Sequence, residues 1–319
     1  MSPGMRFELI ILGSNGAVPI PERHASSHLL RTEGSDVLID CGEGTQLQLQ
    51  AAGHGLGRTD TVLITHLHGD HYFGLPGLLT SLSLQGRIMP LRIISPPGLR
   101  AKLTPLLELD RWRLPFPLTF EEHAATDFGP LTTIGDLEVF SFPLRHRIAT
   151  NGYLIREQRR PPNIRKDQLA RYQIPWTAIN DIKAGGDYIS SDGQRIAHAE
   201  LVSPAAPPRA YAYCSDTIYF EELADYVRGV DLLYHEATFL HDMADEARKK
   251  GHATAREAAL TAQHAGASQL ILGHFSARYR SVEEHEREAR TVFPNSYAGR
   301  DLHRYAVAYA GREESSAGG

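Results

Sequence analysis

Short apolar runs alternate with glycine-rich turns through the first third of the chain. The runs FELIILG, VLID and VLIT have the apolar, β-branched character of buried strands. The residues that follow them, SNG, CGEG and HLHGDH, are rich in glycine and in polar side chains, which favour turns and helix starts. This alternation predicts a mixed α/β fold.

Three helices are expected before residue 110. The first is a short helix, which Thr45 and Gln48 would begin as a capping box and which Gly53 and Gly55 would end. The other two are expected from Leu75 to Leu84 and from Leu99 to Leu109.

The alternation continues from residue 91 to residue 151 and resumes after residue 208. The strands predicted there are LRIIS, LEVFSFPL, YAYC, VDLLYHEATF, QLILG and RYAVAYA. Thr254 with Glu257, and Ser281 with Glu284, match the capping-box pattern. Residues 1–310 are therefore expected to form one domain, with residues 311–319 as a flexible tail.

Residues 152–208 interrupt this pattern. They contain the basic, proline-containing sequence IREQRRPPNIRK, a short helical stretch, and the proline-rich sequence SPAAPPR. The change in composition predicts an inserted arm.

Composition narrows the class of protein. Hydrophobic residues make up 42% of the 319, which is enough for a large core. No apolar run approaches the roughly 18 residues of a membrane span, and the first residues lack a signal pattern, so we expect a cytoplasmic protein that does not enter a membrane. The net charge of −5 leaves room only for a local basic patch. Cys41 and Cys214 lie beside apolar runs and are interpreted as structural.

The 16 histidines are an unusual number, and four ligand-type residues stand together directly after the run VLIT. These are His66, His68, Asp70 and His71. Imidazole nitrogens and carboxylate oxygens suit zinc, and a turn at a strand end can direct them to two adjacent points. A solvent-exposed turn rich in histidine is the alternative, and we favour the metal site.

Three more ligand-type residues follow predicted strands. His146 comes after LEVFSFPL, Asp216 after YAYCS, and His274 after QLILG. One such residue alone is common in turns. Together with the first cluster, the three predict a shared rim of ligands at one sheet edge.

The chain resembles the metallo-β-lactamase superfamily and, within it, the RNase Z family. Motifs in the family's order span roughly residues 6 to 310: LGSNGAVP, DCGEGTQ, THLHGDH, FPLRH, SDT, HEATF, GHATAREAA and HFSARY. The histidine motif is typical of the superfamily, whereas DCGEGTQ, HEATF and HFSARY are typical of RNase Z. One loop departs from the family, because His24 follows Arg23 where asparagine is usual. That loop lies near the discriminator and CCA region in the family, so trailer specificity stays open.

The resemblance implies a four-layer αβ/βα sandwich with two zinc ions per subunit, although manganese or cobalt remain alternatives. It assigns His66, His68 and His146 to one ion and Asp70, His71 and His274 to the other, with Asp216 bridging both. It also implies that Asp40 and Glu43 support the ligand loop.

A zinc pair can activate water and clamp a phosphodiester for in-line attack. Asp70 is expected to bind metal with one oxygen and to orient the water with the other. His252, in the loop before Thr254, is the candidate acid that protonates the leaving 3′ oxygen. Glu236 is expected either to orient a histidine or metal ligand or to make structural hydrogen bonds. The role of His235 stays open.

The arm carries the best indication of the substrate. Six basic residues between Arg156 and Arg171 outnumber two acidic ones, a local net charge of +4. Such a patch is typical of phosphate contact, with a solvated loop as the alternative. The resemblance implies that the arm of one subunit grips the elbow of a precursor tRNA bound at the other, and hence a homodimer. The candidate contacts are Arg159, Arg160, Arg165 and Lys166.

The sequence thus predicts an endoribonuclease that removes the 3′ trailer from precursor tRNA after the discriminator nucleotide. The tRNA would keep a 3′-hydroxyl and the trailer a 5′-phosphate. The first alternative is a general metallo-β-lactamase-fold phosphodiesterase or arylsulfatase-like hydrolase without tRNA preference. The second is a non-catalytic RNA-binding scaffold, which would be expected to have lost ligand residues, yet all seven are present.

Overall fold

The computed structural model of the protein describes residues 6–18, 20–108 and 114–309. Within these ranges the strands are β1 Phe7–Gly13, β2 Asn15–Gly16, β3 Ser27–Thr32, β4 Asp36–Ile39, β5 Thr61–Leu63, β6 Leu91–Ser95, β7 Leu118–Glu122, β8 Gly129–Ile134, β9 Leu137–Leu144, β10 Thr150–Glu157, β11 Asn163–Ile164, β12 Tyr188–Ile189, β13 Arg195–Ile196, β14 Val202–Ser203, β15 Ala210–Cys214, β16 Leu232–Glu236, β17 Gln269–Gly273, β18 Phe275–Ser276, β19 Ser296–Ala298 and β20 Arg304–Ala306. The α-helices are α1 Thr45–Ala51, α2 Gly69–Tyr72, α3 Leu75–Leu84, α4 Leu99–Leu106, α5 Lys166–Arg171, α6 Ile179–Lys183, α7 His198–Leu201, α8 Leu223–Tyr226, α9 Ala244–Lys250, α10 Ala255–Ala265 and α11 Glu283–Arg290.

The chain divides into two compact units. The larger unit comprises the described residues up to Arg156 and from Arg209 onward, and the smaller unit comprises Glu157–Pro208. The predicted arm began at residue 152, but β10 continues to Glu157 and pairs with β15. Residues 152–156 therefore belong to the sheet, and the predicted start of the arm was too early.

Two seven-stranded sheets form the larger unit. The first has the order β20-β1-β3-β4-β5-β6-β7, in which β4 to β7 run parallel and β1, β3 and β20 are antiparallel to their neighbours. The second has the order β19-β17-β16-β15-β10-β9-β8, in which β15, β16, β17 and β19 run parallel. Parallel strands place their carboxyl ends at one edge, where polar loops can gather.

Three buried apolar clusters define the layers of this unit. One lies between the sheets and takes side chains from both, including Leu9 and Tyr213. A second packs α1 to α4 against the first sheet through residues such as Leu49 and Leu79. The third packs α8, α10 and α11 against the second sheet through residues such as Ala258. Because each sheet is covered by helices on its outer face, the expected four-layer αβ/βα sandwich is confirmed.

The predicted helix boundaries are partly correct. The helix Leu75–Leu84 is confirmed, and Thr254 with Glu257 forms the expected capping box. The capping box at Thr45 is wrong, because Gly44 precedes α1 with a φ of 82° and the Thr45 hydroxyl donates to the carbonyl of Gly42. A side chain at residue 44 would be strained in that left-handed conformation.

The other differences lie at element ends. The helix predicted to begin at Ser281 starts at Glu283, whose N–H donates to the Ser281 hydroxyl. The helix from Leu99 ends at Leu106, and Leu109 lies outside the described residues, as does the predicted tail at 311–319. The final run forms a strand only over Arg304–Ala306.

The smaller unit has its own core of Ile174, Ile182, Ile196 and Leu201. Two short antiparallel pairs, β11 with β14 and β12 with β13, accompany α5, α6 and α7 in this unit.

Burial determines the state of the two cysteines, and helix length bears on whether a helix could span a membrane. Both cysteines are buried and free, and burial raises the pKa of the Cys41 thiol to about 12, so it is protonated and unreactive at neutral pH. Among the described residues, every helix is too short or too polar to cross a bilayer.

Candidate metal centre

All seven expected ligands lie in one cluster at the strand ends of the two sheets. The segment after β5, including α2, supplies His66, His68, Asp70 and His71, and the residues after β9, β15 and β17 supply His146, Asp216 and His274. The two groups expected from the sequence each take side chains from both sheets, and a third metal-sized group, Asp216 with His252 and His274, takes them from the second sheet and the loop before α10.

The first group consists of His66, His68, His146 and Asp216. Nε2 of His66 lies 3.0 Å, and Nε2 of His146 3.2 Å, from Nδ1 of His68. Oδ2 of Asp216 lies 3.5 Å from Nε2 of His66 and 3.7 Å from Nε2 of His146. Two imidazole nitrogens on one tetrahedral zinc ion would be roughly 3.4 Å apart, given zinc–nitrogen bonds of about 2.1 Å. The four side chains therefore fit a single ion.

The second group consists of Asp70, His71 and His274. Oδ2 of Asp70 lies 3.4 Å from Nε2 of His71 and 3.3 Å from Nε2 of His274. The backbone N–H of Ala17 donates to the same Oδ2 at 2.7 Å. Among the described residues, the hydrogen bonds and ion pairs of Asp70 all involve Oδ2, so Oδ1 stays available to another group.

Asp216 lies between the two groups and offers one oxygen to each. Its Oδ2 faces the first group, and its Oδ1 lies 3.1 Å from Nε2 of His274 and 3.4 Å from Nε2 of His71. Burial opposes ionisation of this carboxyl, but His274, His71 and His66 outweigh it and hold its pKa well below the usual range. The position suits a ligand that bridges two cations.

The buried nitrogen of His71 is the clearest indication that a cation belongs here. Nδ1 of His71 donates to Oδ2 of Asp40 at 2.7 Å, which leaves Nε2 as the remaining ring nitrogen. Within the described residues this fully buried Nε2 has no hydrogen-bond partner. Although burial opposes it, Asp70, Asp40 and Asp216 raise the pKa of His71, so the centre attracts positive charge. A divalent cation would satisfy both the nitrogen and the carboxylates.

Asp40 also supports a second ligand from the first sheet. Its Oδ1 and Oδ2 accept hydrogen bonds from the Thr65 hydroxyl at 3.0 and 2.9 Å, and that hydroxyl lies 3.0 Å from Nδ1 of His66. The hydroxyl proton is engaged by Asp40, so the Thr65 oxygen accepts from Nδ1 of His66 and leaves Nε2 to face the centre. Burial lowers the pKa of His66 to about 4, which keeps the imidazole neutral, as a ligand must be.

Glu236 repeats this arrangement from the second sheet. Its Oε2 accepts the Thr238 hydroxyl at 2.7 Å, and that hydroxyl lies 2.9 Å from Nδ1 of His274. Its Oε1 accepts from Nδ1 of His252 at 2.9 Å. Each buried carboxylate thus holds one histidine directly and another through a threonine. Both roles expected for Glu236 are present, because it orients histidines and also accepts structural hydrogen bonds from the backbone N–H groups of Thr217 and Thr238, each at 3.0 Å.

His252 belongs to the same edge, in the loop between α9 and α10. Burial disfavours its charged form, but Glu236, followed by Asp216 and Asp70, raises its pKa to about 9. Without bound metal, these carboxylates therefore favour the imidazolium form of His252. Since Nδ1 is engaged by Glu236, Nε2 is the nitrogen left to deliver a proton.

Two glycines keep the ligand rings in place. A Cβ on Gly16 would lie 2.6 Å from the His274 ring, and a Cβ on Gly251 would lie 2.8 Å from Nδ1 of His146. The carbonyl of Gly251 accepts from that Nδ1 at 2.7 Å. His274 itself adopts a φ of 55°, a left-handed conformation that is strained for a residue with a side chain.

Three other candidates have different surroundings. Glu43 is exposed, so the support expected from DCGEG comes from Asp40 alone. His235 is fully buried and donates to the carbonyl of Glu236 at 2.7 Å, a structural contact outside the cluster. His24 stands at the position that departs from the family, and its Nδ1 lies 2.9 Å from Oδ2 of Asp301.

Comparison with known proteins places the chain in a family. Residues 7–107 match the family model described as Anti-Pycsar protein Apyc1, and residues 201–275 match the model of a beta-lactamase superfamily domain. Ribonuclease Z of Bacteroides fragilis is 40% identical over 296 residues, which cover 93% of this chain and 97% of that protein. Ribonuclease Z of Porphyromonas gingivalis is 39% identical over 295 residues, which cover 92% and 97%. The crystal structure of human tRNase Z, short form, has a TM-score of 0.69 and 28% identity over 94% of this chain and 99% of that chain.

The sandwich and the ligand cluster define a hydrolase of the beta-lactamase superfamily with a site for divalent metal. Given relatives that are about 40% identical over nearly their whole length, the chain belongs to the ribonuclease Z family, whose members are endoribonucleases.

Proposed function

We propose that this protein is a zinc-dependent endoribonuclease that removes the 3′ trailer from precursor tRNA. Hydrolysis after the discriminator nucleotide would leave a 3′-hydroxyl on the tRNA and a 5′-phosphate on the trailer. The names of the relatives and of the human structural neighbour support the substrate. The observation that carries the proposal is the pair of donor groups joined through the two oxygens of Asp216.

In this proposal His66, His68 and His146 bind one zinc ion and Asp70, His71 and His274 the other, with Asp216 shared. Bound zinc would supply the Lewis acidity that lowers the pKa of water and neutralises phosphate charge.

The protein's own groups would handle orientation and protons. Oδ1 of Asp70, which is free of hydrogen bonds among the described residues, would orient the attacking water. His252, held at Nδ1 by Glu236, would donate the proton from Nε2 to the 3′ oxygen as the phosphorus–oxygen bond breaks. Because the 3′ alkoxide is a poor leaving group, this proton is needed on the tRNA side of the cut.

The smaller unit would bind the tRNA elbow. Its candidate contacts Arg159, Arg160, Arg165 and Lys166 are all exposed, and Arg159 and Arg160 line a cavity of about 360 Å³ with Pro162 and Pro207. Arg156, which was counted with the arm, lies in β10 and pairs with Glu138, so it does not belong to this patch. As in the family, the arm of one subunit would serve the other, which implies a homodimer.

Replacing Arg159, Arg160, Arg165 and Lys166 together by glutamine is expected to raise KM for precursor tRNA. The logarithmic salt dependence of binding should fall by up to about 4, because each of the lost phosphate contacts removes close to one unit. Hydrolysis of a small phosphodiester, which has no elbow to bind, should keep its rate. The double variant Lys183→Gln, Arg195→Gln is the control, because it removes positive charge from the same unit at residues outside the proposed contacts. Equal losses on both substrates would exclude the arm as an RNA contact.

The direct test is cleavage of a precursor tRNA with a 3′ trailer, mapped at single-nucleotide resolution before and after chelation. We expect one cut after the discriminator, abolished by chelation and restored by zinc. If the metal-loaded protein hydrolyses small phosphodiesters but leaves the precursor intact, it is the general phosphodiesterase instead.

A further inference from the structure

Four cationic side chains that are not expected metal ligands lie on segments near His252 in the fold. We propose that Arg147, Lys249, Lys250 and Arg278, the basic rim, bind the phosphates of the RNA strand immediately upstream of the scissile bond. The proposal rests on the proposed function and adds a second RNA contact region, in the larger unit.

The chain positions these residues through the catalytic groups themselves. Arg147 follows the expected ligand His146, and Lys249 and Lys250 end α9 just before His252. Nη2 of Arg147 donates to the carbonyl of Lys249 at 3.3 Å, which ties the two segments together. The rim thus lies beside the histidines instead of on a remote helix face.

Phe239 fixes two of the cations close to His252. The Arg278 guanidinium lies 5.0 Å, and the Lys250 ammonium 5.8 Å, from the centre of the Phe239 ring. That ring is 2% exposed, and its centre lies 6.2 Å from the centre of the His252 ring. Nη1 of Arg278 also contacts Sδ of Met243 at 2.8 Å. The buried Phe239 ring therefore lies near the proposed proton donor and also contacts two of the cations.

Three of these four cations share an acidic neighbour, Glu246, whose pKa is lowered by Lys250 and, more weakly, by Lys249 and Arg278. Among the described residues, only Lys250 of the four has a carboxylate within ion-pair distance, Glu246 at 3.0 Å. Arg147 and Lys249 are exposed, and the whole chain is acidic, with a net charge of −5. A local excess of positive charge on an acidic protein is suited to polyanion contact.

The proposed role of His252 indicates that the cations contact the RNA upstream of the scissile bond. His252 would protonate the 3′ oxygen, which belongs to the nucleotide upstream of the cut. Cations on the segments next to His252 are therefore placed to meet the phosphates that precede this nucleotide. Such contacts hold RNA of any sequence, because they bind the backbone.

The test compares the triple variant Lys249→Gln, Lys250→Gln, Arg278→Gln with the wild type on precursor tRNA. We expect KM to rise roughly tenfold or more, the logarithmic salt dependence to fall by about 2, and kcat to stay within about twofold. A triple variant that removes the same charge elsewhere in the larger unit, Lys102→Gln, Arg228→Gln, Arg287→Gln, should leave all three quantities unchanged.

A neutral methylphosphonate in the substrate localises the contact. Placed immediately upstream of the cut, it should weaken wild-type binding and have little further effect on the rim variant. An unchanged KM and salt dependence would overturn the proposal, as would equal sensitivity to a methylphosphonate downstream. A fall in kcat alone would assign the cations to His252 instead of RNA. A wild type that fails to cleave the precursor would refute the proposed function itself, so the two failures are distinguishable.

Discussion

Asp216→Ala is expected to abolish binding of both metal ions and to slow cleavage by more than about 10³-fold. One substitution removes Oδ2 from the first group and Oδ1 from the second. The remaining expected ligands are five neutral imidazoles and one carboxylate, Asp70, so little negative charge is left to balance two divalent cations. A metal pair supplies several kcal/mol of transition-state stabilisation, which corresponds to a loss of this size. Metal content by elemental analysis and the single-turnover rate measure the two effects.

Asp36→Asn is the matched control, because Asp36 is also a buried carboxylate and pairs with Arg31 at 3.3 Å. It should lower thermal stability without changing metal content. Two tightly bound ions per subunit in the Asp216→Ala protein would contradict the bridging role.

His252→Ala is expected to lower kcat for precursor tRNA by about 10²- to 10⁴-fold while metal content stays unchanged. The variant loses the proton donor, but the groups around Asp216 keep their donors. A p-nitrophenyl phosphodiester, whose leaving group needs no proton, should lose far less activity. The ratio of the two losses distinguishes general acid catalysis from a general disturbance of the centre.

His264→Ala supplies the control for histidine loss, since His264 is exposed near the end of α10. It should leave both rates unchanged. If the His252→Ala protein instead lost bound metal, or lost equal activity on both substrates, His252 would be structural.

The expected ligands could be found from the sequence because each follows an apolar run. His146, Asp216 and His274 are unremarkable residues separately, and their shared position after strands indicated a common edge. Parallel strands with their carboxyl ends together bring such residues into contact whatever their separation along the chain. The alternation of elements predicted only a mixed α/β fold, and the four layers were implied by the family resemblance.

Thr65 and Thr238 could not have been selected in the same way. Threonine is common in strands and turns, and nothing in its spacing indicates a hydroxyl between a carboxylate and an imidazole. The sequence also could not indicate the left-handed backbone conformation of His274, because this conformation depends on tertiary contacts. The predicted start of the arm was too early because Arg156, which lies in β10, is a basic residue like those of the segment that follows it.

The division of the expected ligands between the sheets would also couple metal binding to the folding of the chain. The first group links His66 with His146 and Asp216, and the second links His71 with His274. An ion bound at either group would therefore close long loops of polypeptide, as a disulfide does, and its binding energy would contribute to the stability of the folded state. During synthesis the second site is complete only after His274 has left the ribosome, so a nascent chain that lacks its last segment cannot assemble a competent nuclease.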